Sequence, residues 1–366
     1  MSAAMADRPD QPRSHATASV LDQCRELGFA LAGVCRAEPI DFGEELRQWL
    51  ADGRHGEMAY LEQHLEQRLD PRTMLDGARS IICVADRYHR GGRDPWVDPA
   101  EQRPPGRVAR YARGDDYHKV MKKRLHALCD ALAAAHPDAQ FKACVDTAPI
   151  MEREHAQRAG LGAVGKHTLL IEPGVGSYLL LGEVLATIDL PPTPSAVGRD
   201  LCASCTRCID ACPTDAITPW SVDATKCISY LTIEHRGTID ERYHEPIGDW
   251  LFGCDICQEV CPHNSPTRRS KAAPVHDAYE PRRRGFDLLD VLGWSEEDRR
   301  DAFMRSSMKR AKLDMMKRNA LIVAGNVLRQ RDDGALRSRI ESLAVDENEP
   351  PLVQQTARRV LDRLGD

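Results

Sequence analysis

The stretch LCASCTRCIDACP, residues 201–213, decides much of how this chain of 366 residues folds. Its four cysteines follow the spacing Cys-x2-Cys-x2-Cys-x3-Cys-Pro, from Cys202 to Pro213. In runs of this kind three thiolates hold one [4Fe–4S] cluster and the fourth reaches over to a second cluster. The spacing therefore predicts a small domain whose core is partly inorganic, and a second group of cysteines elsewhere in the chain.

That second group begins at Cys254, where a shorter run, Cys-x2-Cys-x3-Cys-Pro, has Cys261 as its last cysteine. The run lacks one cysteine, and Cys227 lies between the two runs in a position to supply it. Zinc sites also use C-x2-C pairs, but the Cys-Pro ends and the third closely spaced cysteine favour iron–sulfur clusters. Crossed pairing of the eight thiols predicts two ligand sets, Cys202, Cys205, Cys208 and Cys261 for one cluster, and Cys212, Cys227, Cys254 and Cys257 for the other.

Composition limits what the rest of the chain can be. The formal net charge of −6, from 50 basic and 56 acidic residues, excludes a uniformly basic nucleic-acid coat. No apolar run is long enough to span a membrane, and residues 1–15 are polar, which predicts a disordered leader and no signal peptide. We expect a cytoplasmic monomer whose thiols stay reduced. Five further cysteines lie in apolar patterns and are predicted to be buried side chains, namely Cys24, Cys35, Cys83, Cys129 and Cys144.

Three domains are predicted, in an α+β protein overall. Residues 16–190 alternate helical and extended patterns, which indicates an α+β or an α/β domain, and we predict α/β. The proline-rich tract DLPPTPSAV, residues 189–197, marks a boundary before the cysteine-rich domain at 191–265. Residues 266–366 begin with a basic linker and continue as short amphipathic helices, which indicates a helical-repeat, HEAT-like domain. The clearest single helix covers residues 117–135, with an apolar stripe of Met121, Leu125, Leu128 and Leu132.

From about residue 18 to about residue 330, the order of motifs resembles the epoxyqueuosine reductase family. The motifs are HGEM (55–58), RYARGDDYH (110–118), VDTAPIMER (145–153), AGLGAVGKHTLLI (159–171), the ferredoxin run, CISYLTIE (227–234) and CPHN (261–264). The resemblance implies cobalamin in the N-terminal domain, two [4Fe–4S] clusters, and the last step of queuosine synthesis on tRNA.

The resemblance also implies which residues contact cobalamin. They are Asp146, Lys166, His167, Thr168, Ser177, Ser229, Tyr230 and Thr232. The alternative for Ser229, Tyr230 and Thr232 is that they form the polar face of a strand. The glycines in residues 160–165 either cradle the corrin edge or end a helix and begin a turn. The sequence Asp116-Tyr117-His118 begins the pattern Asp-x-His-x-x-Gly of cobalt-ligating histidines but has Met121 where glycine is needed. His118 is therefore predicted to be a surface or capping residue, and cobalt to lack a protein histidine ligand.

Asp146 follows an apolar stretch and lies at the predicted end of a strand, where catalytic groups are often found. By resemblance it is the proton donor. An acid is needed at the epoxide oxygen while electrons enter at carbon, and partial desolvation would raise the pKa of Asp146 for this task. The alternative is that Asp146 forms a turn or caps the following helix.

A basic run in residues 299–318 contains eight Lys or Arg against two Asp, in a chain of net charge −6. Such a run can hold the phosphates of a tRNA anticodon stem-loop, or it can be the solvated face of a helix. The predicted tRNA contacts are Arg305, Lys309, Arg310, Lys312, Lys317 and Arg318.

The leading interpretation is an oxidoreductase that reduces epoxyqueuosine to queuosine at the wobble position of tRNA. Electrons would pass from an unknown low-potential donor through both clusters to cobalamin. A cobalamin-dependent reductive dehalogenase would share this layout, although export signals usually accompany that activity and the leader has none. A non-catalytic iron–sulfur electron carrier is the alternative from another class. Cobalt content separates the carrier from the enzymes, and tRNA binding separates the two enzymes.

Overall fold

The computed structural model of the chain describes residues 15–91, 105–194 and 200–365. The predicted leader lies outside the described residues up to residue 14, and His15 already begins the first helix. The last residues of the predicted boundary tract also lie outside them.

The N-terminal part contains six helices and seven strands among the described residues. The helices are α1 (His15–Glu26), α2 (Gly43–Ala51), α3 (Tyr60–Gln63), α4 (Leu65–Leu69), α5 (Tyr117–Ala135) and α6 (Glu152–Arg158). The strands are β1 (Leu31–Arg36), β2 (Ser80–Arg87), β3 (Pro105–Val108), β4 (Phe141–Val145), β5 (Ala163–Val164), β6 (Leu170–Ile171) and β7 (Leu179–Ala186).

A four-stranded sheet with the order β1-β2-β7-β4 forms the centre of this part. Every neighbouring pair in it is antiparallel, so the predicted α/β domain, whose strands would be parallel, is wrong in this respect. All of β2 is buried because helices cover both faces of the sheet. Helix α5 lies on one face with its predicted stripe fully buried, and α6 lies on the other.

The cysteine-rich part consists of short elements, as expected of a segment with few apolar side chains to bury. Its helices are α7 (Arg207–Asp210), α8 (Ile228–Ile233), α9 (His244–Ile247), α10 (Ile256–Glu259) and α11 (Arg268–Ala272). Its strands are β8 (Ile217–Thr218), β9 (Ser221–Val222) and β10 (Trp250–Phe252).

The C-terminal part is helical after one short strand. It contains β11 (Gly285–Asp287), α12 (Leu288–Gly293), α13 (Glu296–Ala302), α14 (Leu313–Leu328), α15 (Gly334–Val345) and α16 (Pro351–Gly365). Helix α14 lies at its centre and packs against α12, α15 and α16. The helical character agrees with the sequence analysis, while a HEAT-like repeat stays a prediction.

A small second sheet joins all three parts of the chain. Strand β3 pairs in parallel with β10 and antiparallel with β11. Trp250 and Phe252 of β10 belong to the same apolar core as α14. The predicted linker is ordered where it forms α11 and begins β11. Among the described residues, no helix has the length and apolar character needed to cross a membrane.

Candidate functional site

Asp146 lies directly after β4, and two side chains from the start of α5 donate hydrogen bonds to it. The Tyr117 hydroxyl lies 2.7 Å from Asp146 Oδ2, and His118 Nε2 lies 3.1 Å from the same oxygen. The residue that precedes α6 is Met151, and no side chain caps that helix. The alternative in which Asp146 caps the next helix is therefore wrong.

His118 bridges two carboxylates. Its Nδ1 lies 2.8 Å from Asp116 Oδ1, and Asp116 also caps α5 by accepting the backbone N–H of His118. Burial disfavours the charged imidazole, but the hydrogen bonds to Asp116 and Asp146 outweigh it and raise the pKa of His118 to about 9. At neutral pH both ring nitrogens therefore carry protons and donate. The prediction that His118 is a surface or capping residue is wrong.

The pKa of Asp146 moves in the direction opposite to the one expected. Burial by the surrounding protein raises it, but the hydrogen bonds from His118 and Tyr117 and the charges of His118 and Arg153 outweigh burial and lower the pKa. The side chain remains 51% exposed, and we call the surface around it, with Tyr117 and His118, the Asp146 cleft. In this arrangement Asp146 is a carboxylate, and the adjacent proton resides on His118.

Further charged and aromatic side chains line this cleft. Burial raises the pKa of Glu152 to about 8, and the charge of Asp146 adds to the rise. Burial, followed by the charge of Glu234, raises the pKa of Tyr60, to which Asp146 also contributes. Arg310 forms an ion pair with Glu234 and stacks 4.9 Å above the Tyr60 ring. Of these, the sequence analysis singled out only Asp146 and Arg310, although Glu152 and Glu234 lie within the quoted motifs VDTAPIMER and CISYLTIE.

The first predicted ligand set lies together. The pKa of Cys208 is raised by burial and by the charges of Cys202 and Cys205. Burial raises the pKa of Cys261 to about 11, and Cys202 and Cys208 add to the rise. Lys166 donates its backbone N–H to Cys202 Sγ at 3.4 Å.

The second predicted set also lies together. Burial raises the pKa of Cys227, with a contribution from Cys212. Burial likewise raises the pKa of Cys254, with contributions from Cys257 and Cys227. All 13 cysteines are described and each is a free thiol. Within the described residues, no three His, Cys, Asp or Glu side chains lie close enough to hold a single metal ion.

Three residues that follow α6 in the chain and are predicted to contact cobalamin differ in their surroundings. Lys166 is buried, and its Nζ donates to the carbonyls of Ala203 at 2.7 Å and Cys205 at 3.0 Å, so it supports the first cysteine run. His167 is 3% exposed, and burial lowers its pKa to about 4, so the ring is neutral. Its Nε2 has no partner among the described residues. The carbonyl of Thr168 accepts a hydrogen bond of 2.7 Å from Arg153.

Two other residues predicted to contact cobalamin donate their hydroxyl hydrogen bonds to groups of the protein itself. Ser177 is buried and donates to Gln258 Oε1 at 3.0 Å. Thr232 is fully buried and donates to the carbonyl of Ile228 at 2.7 Å. Both hydroxyls are therefore satisfied within the protein, and a contact of either residue with cobalamin stays a prediction implied by the resemblance.

Tyr230 and Ser229 lie at the start of α8. The Tyr230 hydroxyl accepts a hydrogen bond of 2.7 Å from the backbone N–H of Glu57, in the HGEM motif. Ser229 is half-buried. The two motifs that carried the resemblance here, HGEM and CISYLTIE, are therefore in direct contact.

The glycine-rich segment supports the protein's own chain. Gly160 follows α6 with a φ of 80°, as in a left-handed helix end. A Cβ on Gly162 would lie 2.3 Å from the carbonyl oxygen of Ile171, so that side of the segment is filled by β6. Of the two alternatives for these glycines, the structure favours the helix end followed by a turn.

The predicted tRNA contacts divide into two groups. Arg305, Lys309, Arg310 and Lys312 are exposed. Lys317 is 5% exposed and forms an ion pair with Glu349. Arg318 is fully buried, and its guanidinium donates to the carbonyls of Leu231, His235 and Gly237, each at 2.7 Å. The prediction is wrong for Lys317 and Arg318, because α14 is buried on nearly all sides and a run of charge does not reveal this.

Two family models match parts of the chain. A model described as "4Fe-4S double cluster binding domain" matches residues 201–264. A model described as "Epoxyqueuosine reductase QueG, DUF1730" matches residues 68–147.

Curated relatives match nearly the whole chain. The epoxyqueuosine reductase of Xanthomonas campestris pv. campestris is 38% identical over 347 residues, which cover 93% of this chain and 94% of the relative. That of Leadbetterella byssophila is 39% identical over 305 residues, which cover 81% of this chain and 95% of the relative.

Solved structures give the same result. An epoxyqueuosine reductase with an epoxyqueuosine-modified tRNA-Tyr stem loop superimposes with a TM-score of 0.84 at 28% identity, over 96% of this chain and 90% of the other. A Bacillus subtilis epoxyqueuosine reductase, with its catalytic aspartate loop swung out of the active site, superimposes with a TM-score of 0.82 at 27% identity, over 96% and 91%.

Proposed function

The chain belongs to the epoxyqueuosine reductase family. From this premise we propose that the protein reduces epoxyqueuosine to queuosine at the wobble position of tRNA, and that the reaction takes place at the Asp146 cleft. The observation that carries the proposal is the contact of Asp146 with the protonated His118, in a chain that also gathers eight cysteines into two groups. Reduction of an epoxide to an alkene consumes two electrons and two protons and releases water. Side chains of this protein can supply the protons and hold the clusters that relay the electrons, and the electrons themselves come from an external donor.

Two [4Fe–4S] clusters suit the cysteines. The ligand sets are Cys202, Cys205, Cys208 and Cys261 for one cluster, and Cys212, Cys227, Cys254 and Cys257 for the other. The cysteines that help to raise the pKa values of Cys208, Cys227, Cys254 and Cys261 belong to the same set in each case, while Cys257 is affected by members of both sets. N–H groups of Lys166 and Ala216 donate to Cys202 Sγ and Cys212 Sγ, each at 3.4 Å. Such hydrogen bonds stabilise cluster thiolates and tune their reduction potential.

Cobalamin suits the cleft beside these cysteines. His167 Nε2 and Arg68 Nε are buried polar atoms without partners among the described residues, and a cofactor rich in amide groups could satisfy them. His118 uses both ring nitrogens for Asp116 and Asp146 and is therefore not free to ligate cobalt. When bound, cobalamin would supply a low-potential cobalt centre that delivers electrons to the epoxide carbon.

Side chains of this protein hold and transfer the protons that the reaction consumes. His118 holds one proton on Nε2, 3.1 Å from Asp146 Oδ2, and can pass it through Asp146 to the epoxide oxygen. Tyr117 orients the same carboxylate oxygen. Glu152, whose pKa is raised to about 8, is a protonated carboxyl group near the Asp146 carboxylate. Together they supply the two protons that the reaction consumes.

The exposed Arg305, Lys309, Arg310 and Lys312 lie on a segment that contacts this cleft. The Arg305 carbonyl accepts the backbone N–H of Asp116 at 2.7 Å, two residues before His118. Arg310 lies over the ring of Tyr60, whose pKa is affected by the charge of Asp146. A tRNA anticodon stem-loop held by these cations would bring its wobble base to the cleft. The tRNA stem loop bound to a structural relative supports this arrangement.

A direct test is anaerobic reconstitution with iron, sulfide and cobalamin, followed by metal counts and single-turnover assays on tRNA that carries epoxyqueuosine. We expect about eight irons and one cobalt per chain, and conversion of the epoxide to queuosine. Zinc in place of iron, or binding of cobalamin without conversion, would contradict the proposal. The Cys227→Ala variant should retain about four irons, because it removes a ligand of only one cluster.

A further inference from the structure

An exposed tryptophan lies beside the first cysteine run. Trp220 follows Pro219 at the turn between β8 and β9, and 49% of the residue is exposed. Its φ of 61° is in the left-handed region that bulky residues rarely adopt. The turn therefore holds an indole in solvent at a conformational cost, although nothing in the reaction at Asp146 uses it. We call Trp220 with the neighbouring exposed residues 203 and 204 the Trp220 surface.

A single residue, Lys166, connects the Trp220 surface to the predicted cluster ligands. The backbone N–H of Trp220 donates to the Lys166 carbonyl at 3.0 Å, and Lys166 Nζ lies 5.6 Å from the centre of the indole ring. The same Lys166 donates to Cys202 Sγ through its backbone and to the Cys205 carbonyl through Nζ. The exposed indole is thus one residue away from two members of the first ligand set.

The chain beside the first two cysteines of the first set is exposed, although Cys208 and Cys261 of that set are buried. Ala203 and Ser204, between its first two cysteines, are exposed, as are Thr206 and Arg207 after them. In the second set, Cys254 follows the buried Phe252 and Gly253 and precedes the buried Asp255. A molecule docked at the Trp220 surface would therefore be separated from Cys202 and Cys205 only by Lys166 and the exposed chain at residues 203 and 204.

We propose that the Trp220 surface docks a protein that carries single low-potential electrons on a flavin or an iron–sulfur cluster. This inference rests on the proposed function, which requires an external source of two electrons. Each docked carrier loses one electron and the first cluster gains one, with no bond made or broken, so two carriers serve each epoxide. Redox partners form small, weak contacts, and an exposed tryptophan is a typical anchor for them.

The charges around Trp220 argue against RNA at this surface. The exposed charged residues between 200 and 220 are Asp200, Arg207, Asp210 and Asp215. Three carboxylates against one guanidinium repel phosphates, whereas the exposed cations lie on the segment from Arg305 to Lys312.

The test uses the reconstituted holoenzyme and flavodoxin hydroquinone as the probe, with anaerobic stopped-flow detection of cluster reduction. Trp220→Asn is the main variant, because asparagine tolerates a positive φ. We expect its second-order rate constant with flavodoxin to fall about tenfold or more, as for an interface anchor. Reduction by dithionite, which needs no docking, should be unchanged, and Trp220→Phe should restore most of the rate with flavodoxin.

Phe42→Asn is the matched control, since Phe42 is also 49% exposed but precedes α2 in the N-terminal part. An unchanged rate with flavodoxin in Trp220→Asn would overturn the inference, and so would an equal loss in Phe42→Asn or with dithionite. Weaker binding of the tRNA stem loop in Trp220→Asn would assign the surface to RNA and also overturn it. Failure of the wild-type chain to bind iron or to be reduced by dithionite would instead contradict the proposed function.

Discussion

At the scale of single residues, Asp146 and His118 share one hydrogen bond, and their pKa values are displaced in opposite directions. The proton between them therefore lies on His118 at rest. An acid whose pKa is lowered gives up its proton readily once it has one, and His118 is placed to return it. We infer that the pair, rather than Asp146 alone, is the acid of the reaction.

Replacement of Asp146 by asparagine should abolish this transfer. We expect Asp146→Asn to keep its iron and cobalamin but to lose turnover by a factor on the order of 10² or more, as when a general acid is removed. Single-turnover conversion of epoxide-bearing tRNA measures the loss. Asp138→Asn, at an exposed position in the loop after α5, is the control and should behave like the wild type. Near-normal turnover in Asp146→Asn would show that the proton comes from another group.

The pH profile should respond to Asp116. Because Asp116 helps to raise the pKa of His118 to about 9, the imidazole stays protonated below that pH and its proton is lost as the pH rises through it. In Asp116→Asn the pKa of His118 should fall towards its ordinary value of about 6.5. The alkaline limb of kcat should then move to lower pH, measured at constant ionic strength. An alkaline limb in the same place would exclude His118 as its origin.

Asp146 could be found from the sequence because it lies in a motif at the end of an apolar stretch. The contact of Asp146 with Tyr117 and His118 could not be predicted from the sequence, although both residues lie in the motif RYARGDDYH. Tyr117 and His118 are 29 and 28 residues away along the chain, and only the packing of α5 on the sheet brings them to β4. The direction of the Asp146 pKa depends on these two partners, so burial alone gave the wrong sign.

At the scale of elements, α14 shows why a charge run is ambiguous. The helix is apolar towards α12, α15 and α16, and it also buries Arg318 against α8 and the turn that follows it. Arg318 there satisfies three backbone carbonyls that water does not reach, which makes it a structural residue. The pattern of the cysteines, by contrast, was sufficient to predict a domain with two [4Fe–4S] clusters, which the family model matches over residues 201–264, while the two ligand sets stay a prediction.

Arg318 and Lys312 should therefore behave differently when each is replaced by methionine. Arg318→Met leaves buried carbonyls without donors and should lower the free energy of unfolding by roughly 2–4 kcal/mol. Lys312→Met, at an exposed position just before α14, should change stability by less than about 0.5 kcal/mol but weaken tRNA binding. Urea unfolding and stem-loop titrations, made where both variants are folded, separate the effects. Equal stabilities would contradict the structural role of Arg318.

At the scale of the whole molecule, the sheet of β3, β10 and β11 ties the N-terminal, cysteine-rich and C-terminal parts together. Arg305 adds an ion pair with Asp115, and Arg310 one with Glu234. The segment that carries the exposed cations is thereby fixed to both sides of the Asp146 cleft. Sequence patterns predicted the separate parts, but contacts between parts have no period along the chain and could not be predicted.

This arrangement predicts how tRNA recognition responds to charge. Reversal of charge at Arg305, Lys309 and Lys312 should raise KM for tRNA, because each phosphate that is no longer neutralised by the protein keeps its counterion. The slope of log affinity against log salt should become shallower by roughly 0.7–0.9 for each such phosphate. The clusters and cobalamin should be retained, since none of these residues lies beside a cysteine of either set. Reversal at Arg25, Arg72 and Arg242, which are exposed on other elements, matches the change in net charge and should leave KM and the salt slope nearly unaltered. If the first triple variant binds tRNA like the wild type across the salt range, the basic run is a solvated surface and the stem-loop is held elsewhere.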